Sequence, residues 1–152
     1  MRHYTWMFAV VVVLVGSFVK PAQSSSLSSE QQKALESSKY VYIQSTRADG
    51  ALGKPAEIWF MYHDGAVWVC SPTTTYRVKR IQAGHTGAQI AIGKADGPSF
   101  TAKGSVVKDA EANKALFETF AKKYADGWSS YEKQFKEGLA DGSRTLVKYA
   151  PE

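Results

Sequence analysis

The tripeptide His63-Asp64-Gly65 constrains this chain more than any other feature. It stands between two runs rich in β-branched and aromatic residues, Ala56-Glu57-Ile58-Trp59-Phe60-Met61-Tyr62 and Ala66-Val67-Trp68-Val69-Cys70. An Asp-Gly pair accepts positive φ at little cost and closes a tight hairpin. A connection that short cannot join parallel strands, which need a crossover of roughly a dozen residues or more. The chain therefore reads as antiparallel outwards from this turn. Tyr40-Val41-Tyr42-Ile43-Gln44-Ser45-Thr46 is a further strand, and Arg47 to Gly53, with Asp49-Gly50 inside it, turns the chain back. A three-stranded antiparallel meander over residues 40–70 is expected.

Downstream, the apolar run stops at Ser71-Pro72, and residues 76–84 suit a short helix ended by Gly84. Strands are expected at 88–92, 99–107 and 145–149, with Pro151 past the end of the last. Between them, Ala112, Ala115, Leu116, Phe117, Phe120 and Tyr124 recur at three- and four-residue spacing. This predicts a helix opened by Asp109 and ended by Gly127. A second short helix is expected at 129–135, stopped by Gly138, and another near the start, capped by Ser28 or Ser29. About six consecutive short strands with helices around them give a mainly β, α+β class, a small antiparallel barrel or sandwich.

The first residues carry a different signal. Met1-Arg2-His3 is basic, Met7 to Val19 is almost wholly apolar, and Lys20-Pro21-Ala22-Gln23-Ser24 is rich in small residues. That is the pattern of a secretory leader, with cleavage expected after Ser24. An uncleaved anchor is the alternative, although the apolar stretch is short for a span of roughly 20 residues. The expected organisation is a signal peptide over 1–24, a flexible start and short helix over 25–39, and one domain over 40–150. Such a chain would be exported, periplasmic or extracellular, with no stable membrane anchor after cleavage.

The formal charge of +5 falls to about +3 once Arg2 and Lys20 leave with the leader, and no dense basic run remains to track a nucleic-acid backbone. No nucleic-acid partner is expected. Cys70 is the single cysteine, so an intrachain disulfide and a cysteine-based metal cluster are both excluded. No metal site is expected, because no His/Asp/Glu set has ligand spacing.

One segment stands out chemically. Thr73-Thr74-Thr75-Tyr76-Arg77-Val78-Lys79-Arg80-Ile81 packs hydroxyls, an aromatic ring and three cations into nine residues. Hydroxyls supply hydrogen bonds to anionic oxygens and Arg offers a two-pronged fork to phosphate. An anionic, phosphorylated ligand suits it, and a solvated helix face is the plain alternative.

Several marks, in this order, resemble the flavin-binding split barrels related to pyridoxamine 5'-phosphate oxidase, a superfamily that includes an F420-dependent branch. They are Ser45-Thr46-Arg47-Ala48-Asp49-Gly50, Pro55-Ala56-Glu57-Ile58-Trp59-Phe60, His63 to Val69, Tyr76 to Ile81, and Gly97-Pro98-Ser99-Phe100 leading to Lys103-Gly104-Ser105-Val106-Val107. The resemblance spans residues 40–149. It implies a six-stranded antiparallel split β-barrel, a homodimer, and FMN or F420 as cofactor. It implies that Thr73, Thr74, Thr75, Arg77, Lys79 and Arg80 contact the cofactor phosphate. It also implies that Ser45, Thr46, Arg47 and Trp59 lie near the cofactor ring. The chain departs from the family in carrying the carboxylate Glu57 where related sequences often have a base. The activity implied is a redox reaction on a small-molecule substrate, with no general acid or base named. A non-enzymatic module holding a small ligand on the same barrel is the alternative. Haem is a third reading, with His63 and His85 as candidate ligands.

Overall fold

The computed structural model describes residues 26–152. The expected leader, 1–24, lies outside the described residues. Ser28 caps the first helix, α1 (Ser29–Ser37), through a reciprocal capping box with Gln31. Seven strands follow: β1 (Val41–Ser45), β2 (Ala56–Ile58), β3 (Met61–His63), β4 (Ala66–Pro72), β5 (Gly87–Ile92), β6 (Ser99–Val107) and β7 (Arg144–Pro151). Helix α2 (Tyr76–Gln82) lies between β4 and β5, and α3 (Ala110–Lys123) and α4 (Ala125–Asp141) lie between β6 and β7.

All strand pairs are antiparallel, in the order β2-β1-β5-β6-β7-β4-β3. The two edges of this sheet, β2 and β3, are separated in the chain by Trp59 and Phe60 alone. A sheet whose opposite edges are nearly continuous must curl until they meet, so the sheet is a barrel split along that line. The hairpin forms as Asp64-Gly65 predicts: both residues have positive φ, 49° and 70°, as a primed turn requires.

The expected strand over 56–62 is thus one path broken in two, which makes the count seven instead of six. The three-stranded meander is corrected accordingly. Its first half pairs with β1 and its second with β4, at opposite ends of the sheet. The break has a chemical cause. At Phe60 the backbone turns away from the ladder to the Tyr124 hydroxyl, which accepts the Phe60 N–H at 2.9 Å and donates to the Lys39 carbonyl at 2.8 Å.

Strand β4 is buried on both faces. Val67 and Val69 point into the barrel with Val41, Ile43, Ile90 and Val147, while Ala66, Trp68 and Cys70 face Leu116, Phe120, Trp128 and Phe135 on α3 and α4. Its unbroken apolar run in the sequence reflects these two cores.

The helical region differs from expectation at both glycines. The chain breaks at Tyr124 (φ −121°, ψ 36°), not Gly127, which falls in the first turn of α4. The expected helix over 129–135 runs through Gly138 and ends at Gly142 (φ 82°). A glycine inside a helix costs about 1 kcal/mol relative to alanine. Gly138 is there for space: a Cβ would stand 2.7 Å from Cγ and Cδ of Arg144. The last strand extends to Pro151, opposite Ala102.

Candidate functional site

Helix α2 closes one end of the barrel. Val78 is fully buried in the barrel core, and the three-residue spacing of Arg77 and Arg80 sets both on one flank. That flank borders a cavity of about 440 Å³ between α2, the end of β1 and the β1–β2 loop. Ser45, Arg47, Gly53, Lys54, Thr75, Tyr76, Arg77 and Arg80 line it, with Ile43 and Ala56. Four cations border the space and no carboxylate does.

Each cation is held differently. Arg80 donates from Nη1 to the Ser45 hydroxyl at 2.7 Å and to the Ser45 carbonyl at 3.1 Å, and its guanidinium lies 5.5 Å from the Tyr76 ring centroid. Gly53 makes room for it, since a Cβ there would come within 2.6 Å of Nη1. Arg77 reaches the Ser71 hydroxyl at 3.4 Å, and burial pushes its pKa down, partly offset by Tyr149. The Tyr149 hydroxyl is itself buried without a hydrogen-bond partner. Neither Arg77 nor Arg80 belongs to an ion pair among the described residues, whereas Arg47 pairs loosely with Asp49 at 3.7 Å. A desolvated guanidinium with no carboxylate beside empty volume is suited to an incoming anion, because the desolvation cost is already met by the fold.

Of the residues implied for the site, the structure brings together Ser45, Arg47, Thr75, Arg77 and Arg80. It leaves five elsewhere. Thr46 pairs with Gly87 through its backbone N–H at 2.8 Å and does not line the cavity. Thr73 donates to the Ser143 carbonyl at 3.2 Å and ties the β4–α2 turn to β7. Thr74 and Lys79 are exposed and outside the cavity, Lys79 because it lies on the solvent side of α2. Trp59 faces α4 and lines a second cavity, together with Glu57. Thr75 donates to the Pro72 carbonyl at 2.9 Å and makes no side-chain cap to α2. Lys54, Gly53 and Tyr76 are additions. Lys54 precedes Pro55 at the mouth of β2, and its proximity to α2 is a tertiary fact.

No family model and no curated protein matches the sequence. Solved structures do match the fold. A protein related to general stress protein 26 (pyridoxinephosphate oxidase family) from Clostridium acetobutylicum superposes with a TM-score of 0.57 at 19% identity, covering 81% of this chain and 82% of that one. The chain has the pyridoxamine 5'-phosphate oxidase-like split-barrel fold. An F420 reductase shares this split barrel, with a TM-score of 0.52, 17% identity and coverage of 80% and 92%. So does HutZ, a haem storage protein from Vibrio cholerae, with a TM-score of 0.54, 16% identity and coverage of 84% and 92%.

Proposed function

We propose that this split barrel binds a flavin-type cofactor, FMN or F420, and acts as an oxidoreductase on a small molecule. The observation that carries the reading is the cavity at α2, with four cations and no carboxylate. A phosphate monoester or diester is the cofactor group that suits such a lining. Arg77 and Arg80 would hold it, with the Thr75 and Ser45 hydroxyls beside them and Lys54 at the mouth. The cofactor supplies the hydride chemistry when bound. The chain's own residues would bind the anion and fix its orientation against the half-buried guanidinium of Arg77. The F420 reductase and the pyridoxinephosphate oxidase family protein on the same fold support this reading.

The reading extends to the whole chain. Residues 1–24 would act as a cleaved leader, so the mature barrel would take up its cofactor after export, and two copies would pair as a homodimer. A second reading, haem or small-ligand storage without catalysis, draws on the similarity to HutZ. For this reading, His63 stands exposed at the hairpin turn, 3.2 Å from Asp64, and His85 follows α2 with its backbone N–H on the Arg80 carbonyl at 2.8 Å.

Absorption titration of the purified mature chain with FMN, F420 and haem separates these readings. Saturable uptake of FMN or F420, lost in Arg77→Gln plus Arg80→Gln and kept in Lys79→Ala, is the expected result. Uptake of haem alone, sensitive to His85→Ala, would replace the first reading by the second. Flat spectra with all three ligands would remove the flavin and haem readings and leave a module for another small ligand.

A further inference from the structure

The second cavity lies outside the proposed phosphate site. It has a volume of about 380 Å³ and sits on the outer side of β4, between β2, the start of β7 and α4. Ala56 lines the first cavity and its neighbour Glu57 the second, so β2 stands between two hollows of different chemistry.

The second is aromatic. Trp59 and Tyr131 meet edge to face at 5.5 Å and 83°, and Phe135 forms the wall below Arg144. Trp59 is held from behind by Tyr124, stacked at 4.3 Å and 5°. Phe135 is buried and Trp59 is packed on Tyr124, while Tyr131 stands 48% exposed at the rim. Rings already held in place take a planar ligand at smaller entropic cost. Arg144 supplies the charge. Its guanidinium carbon lies 4.4 Å from the Phe135 centroid, and no ion pair among the described residues includes it. The bare Gly138 in the last turn of α4 gives its stem the room to cross the helix. Cys70 lines the same space, and burial pushes its thiol up to about 11, so it stays neutral and leaves the guanidinium charge uncancelled. Glu57 is the one carboxylate of the lining. It is exposed and accepts the Tyr42 hydroxyl, and its charge opposes a second anionic group on a ligand.

We propose that this cavity binds a small planar aromatic monocarboxylate, its ring among Trp59, Tyr131 and Phe135 and its carboxylate on Arg144. Arg grips a carboxylate through paired N–H groups while its own plane rests on an aromatic face. The volume is at the small end of ligand sites, which run from about 300 to 1,000 Å³. The proposal is independent of the cofactor at α2.

Calorimetric titration of the full chain with benzoate, benzamide and phthalate tests it. Benzoate is expected to bind saturably. Benzamide, equal in shape but uncharged, is expected to bind at least tenfold more weakly, and the phthalate dianion more weakly than benzoate. Arg144→Met is expected to close the gap between benzoate and benzamide. Gly138→Ala is expected to narrow it by displacing the stem of an intact Arg144, and Arg80→Gln to leave it unchanged, with thermal melts confirming that each variant is folded. Equal affinities for benzoate and benzamide, a gap that survives in Arg144→Met, or no saturable benzoate binding would each overturn the proposal. So would a dimer in sedimentation that Arg144→Met dissociates while benzoate fails to bind, since that result would give this face to a second copy of the chain.

Discussion

Two regions of the molecule each desolvate a cation without a carboxylate, and they do so to different ends. At the α2 end of the barrel, Arg77 is half-buried beside a cavity bordered by three other cations. At the α3–α4 junction, the Lys123 ammonium lies 3.4 Å from the centroid of the Phe60 ring and 3.4 Å from the Phe60 carbonyl. Lys123 is thus already engaged, by a ring face and a carbonyl, and lines none of the principal cavities. Arg77 has only a weak contact to a serine and open volume beyond it. Burial of a charge alone does not make a site. Burial beside unfilled space, with like charges converging on it, does.

The largest effect should come from removing the convergence. Arg77→Gln with Arg80→Gln is expected to weaken FMN or F420 binding at least 100-fold, since each charge-assisted hydrogen bond contributes about 1.5–3 kcal/mol. Titration by flavin fluorescence reads this directly. Next comes the junction. Tyr124→Phe leaves the Phe60 N–H buried without its acceptor, and a loss of about 1–3 kcal/mol in urea unfolding is expected, with cofactor affinity little changed. Loss of affinity without loss of stability in that variant would break the separation of the two regions.

Smaller is the effect of Gly53→Ala, whose Cβ would meet the tip of the flexible Arg80 side chain. About a tenfold loss of phosphate affinity is expected, roughly 1.4 kcal/mol, from a displaced guanidinium still present. Smallest is the pH response of Lys123. Burial lowers its folded pKa to about 8 from an ordinary 10.5. The unfolded chain therefore holds more protons between these values, and this group's contribution to stability rises as pH climbs from about 8 towards 10.5. Below about 8 its full cost is present. Cys70 acts oppositely from pH 9.0 to about 11, since burial raises its folded pKa, so the comparison belongs at pH 7 against pH 9. Lys123→Met is expected to flatten the rise in urea midpoint across that interval. An unchanged slope would mean that Lys123 is solvated.

Much of the fold was legible because its signals are local. Asp64-Gly65 dictates its hairpin, Asp109 caps α3 with its carboxylate on two backbone N–H groups, and Gly84 (φ 91°) follows the end of α2. The division of residues 56–62 was not legible, because the group that breaks the strand is a hydroxyl 64 residues away. Gly138 reads as a stop signal in sequence, and only Arg144 lying across it explains a glycine within a helix. The composition of the α2 segment pointed to an anion, but composition cannot choose among its hydroxyls and cations. The helical phase could have done so: with Val78 turned inward, Arg77 and Arg80 share a flank and Lys79 points out. Trp59 and Lys54 depend on which side of β2 faces which helix, which no local pattern encodes.

The placement of β7 bears on how the chain reaches this state. It is the last strand in sequence but lies in the middle of the sheet, paired to β6 on one side and β4 on the other. Until it docks, the barrel is two separate ladders, β2-β1-β5-β6 and β4-β3, each with an unpaired edge. Pairing β4 with β7 must close a loop of most of the domain, and such non-local pairings make folding slow. Closure therefore depends on the C-terminal strand, and a barrel without β7 exposes the β4 and β6 backbone edges that the finished barrel conceals.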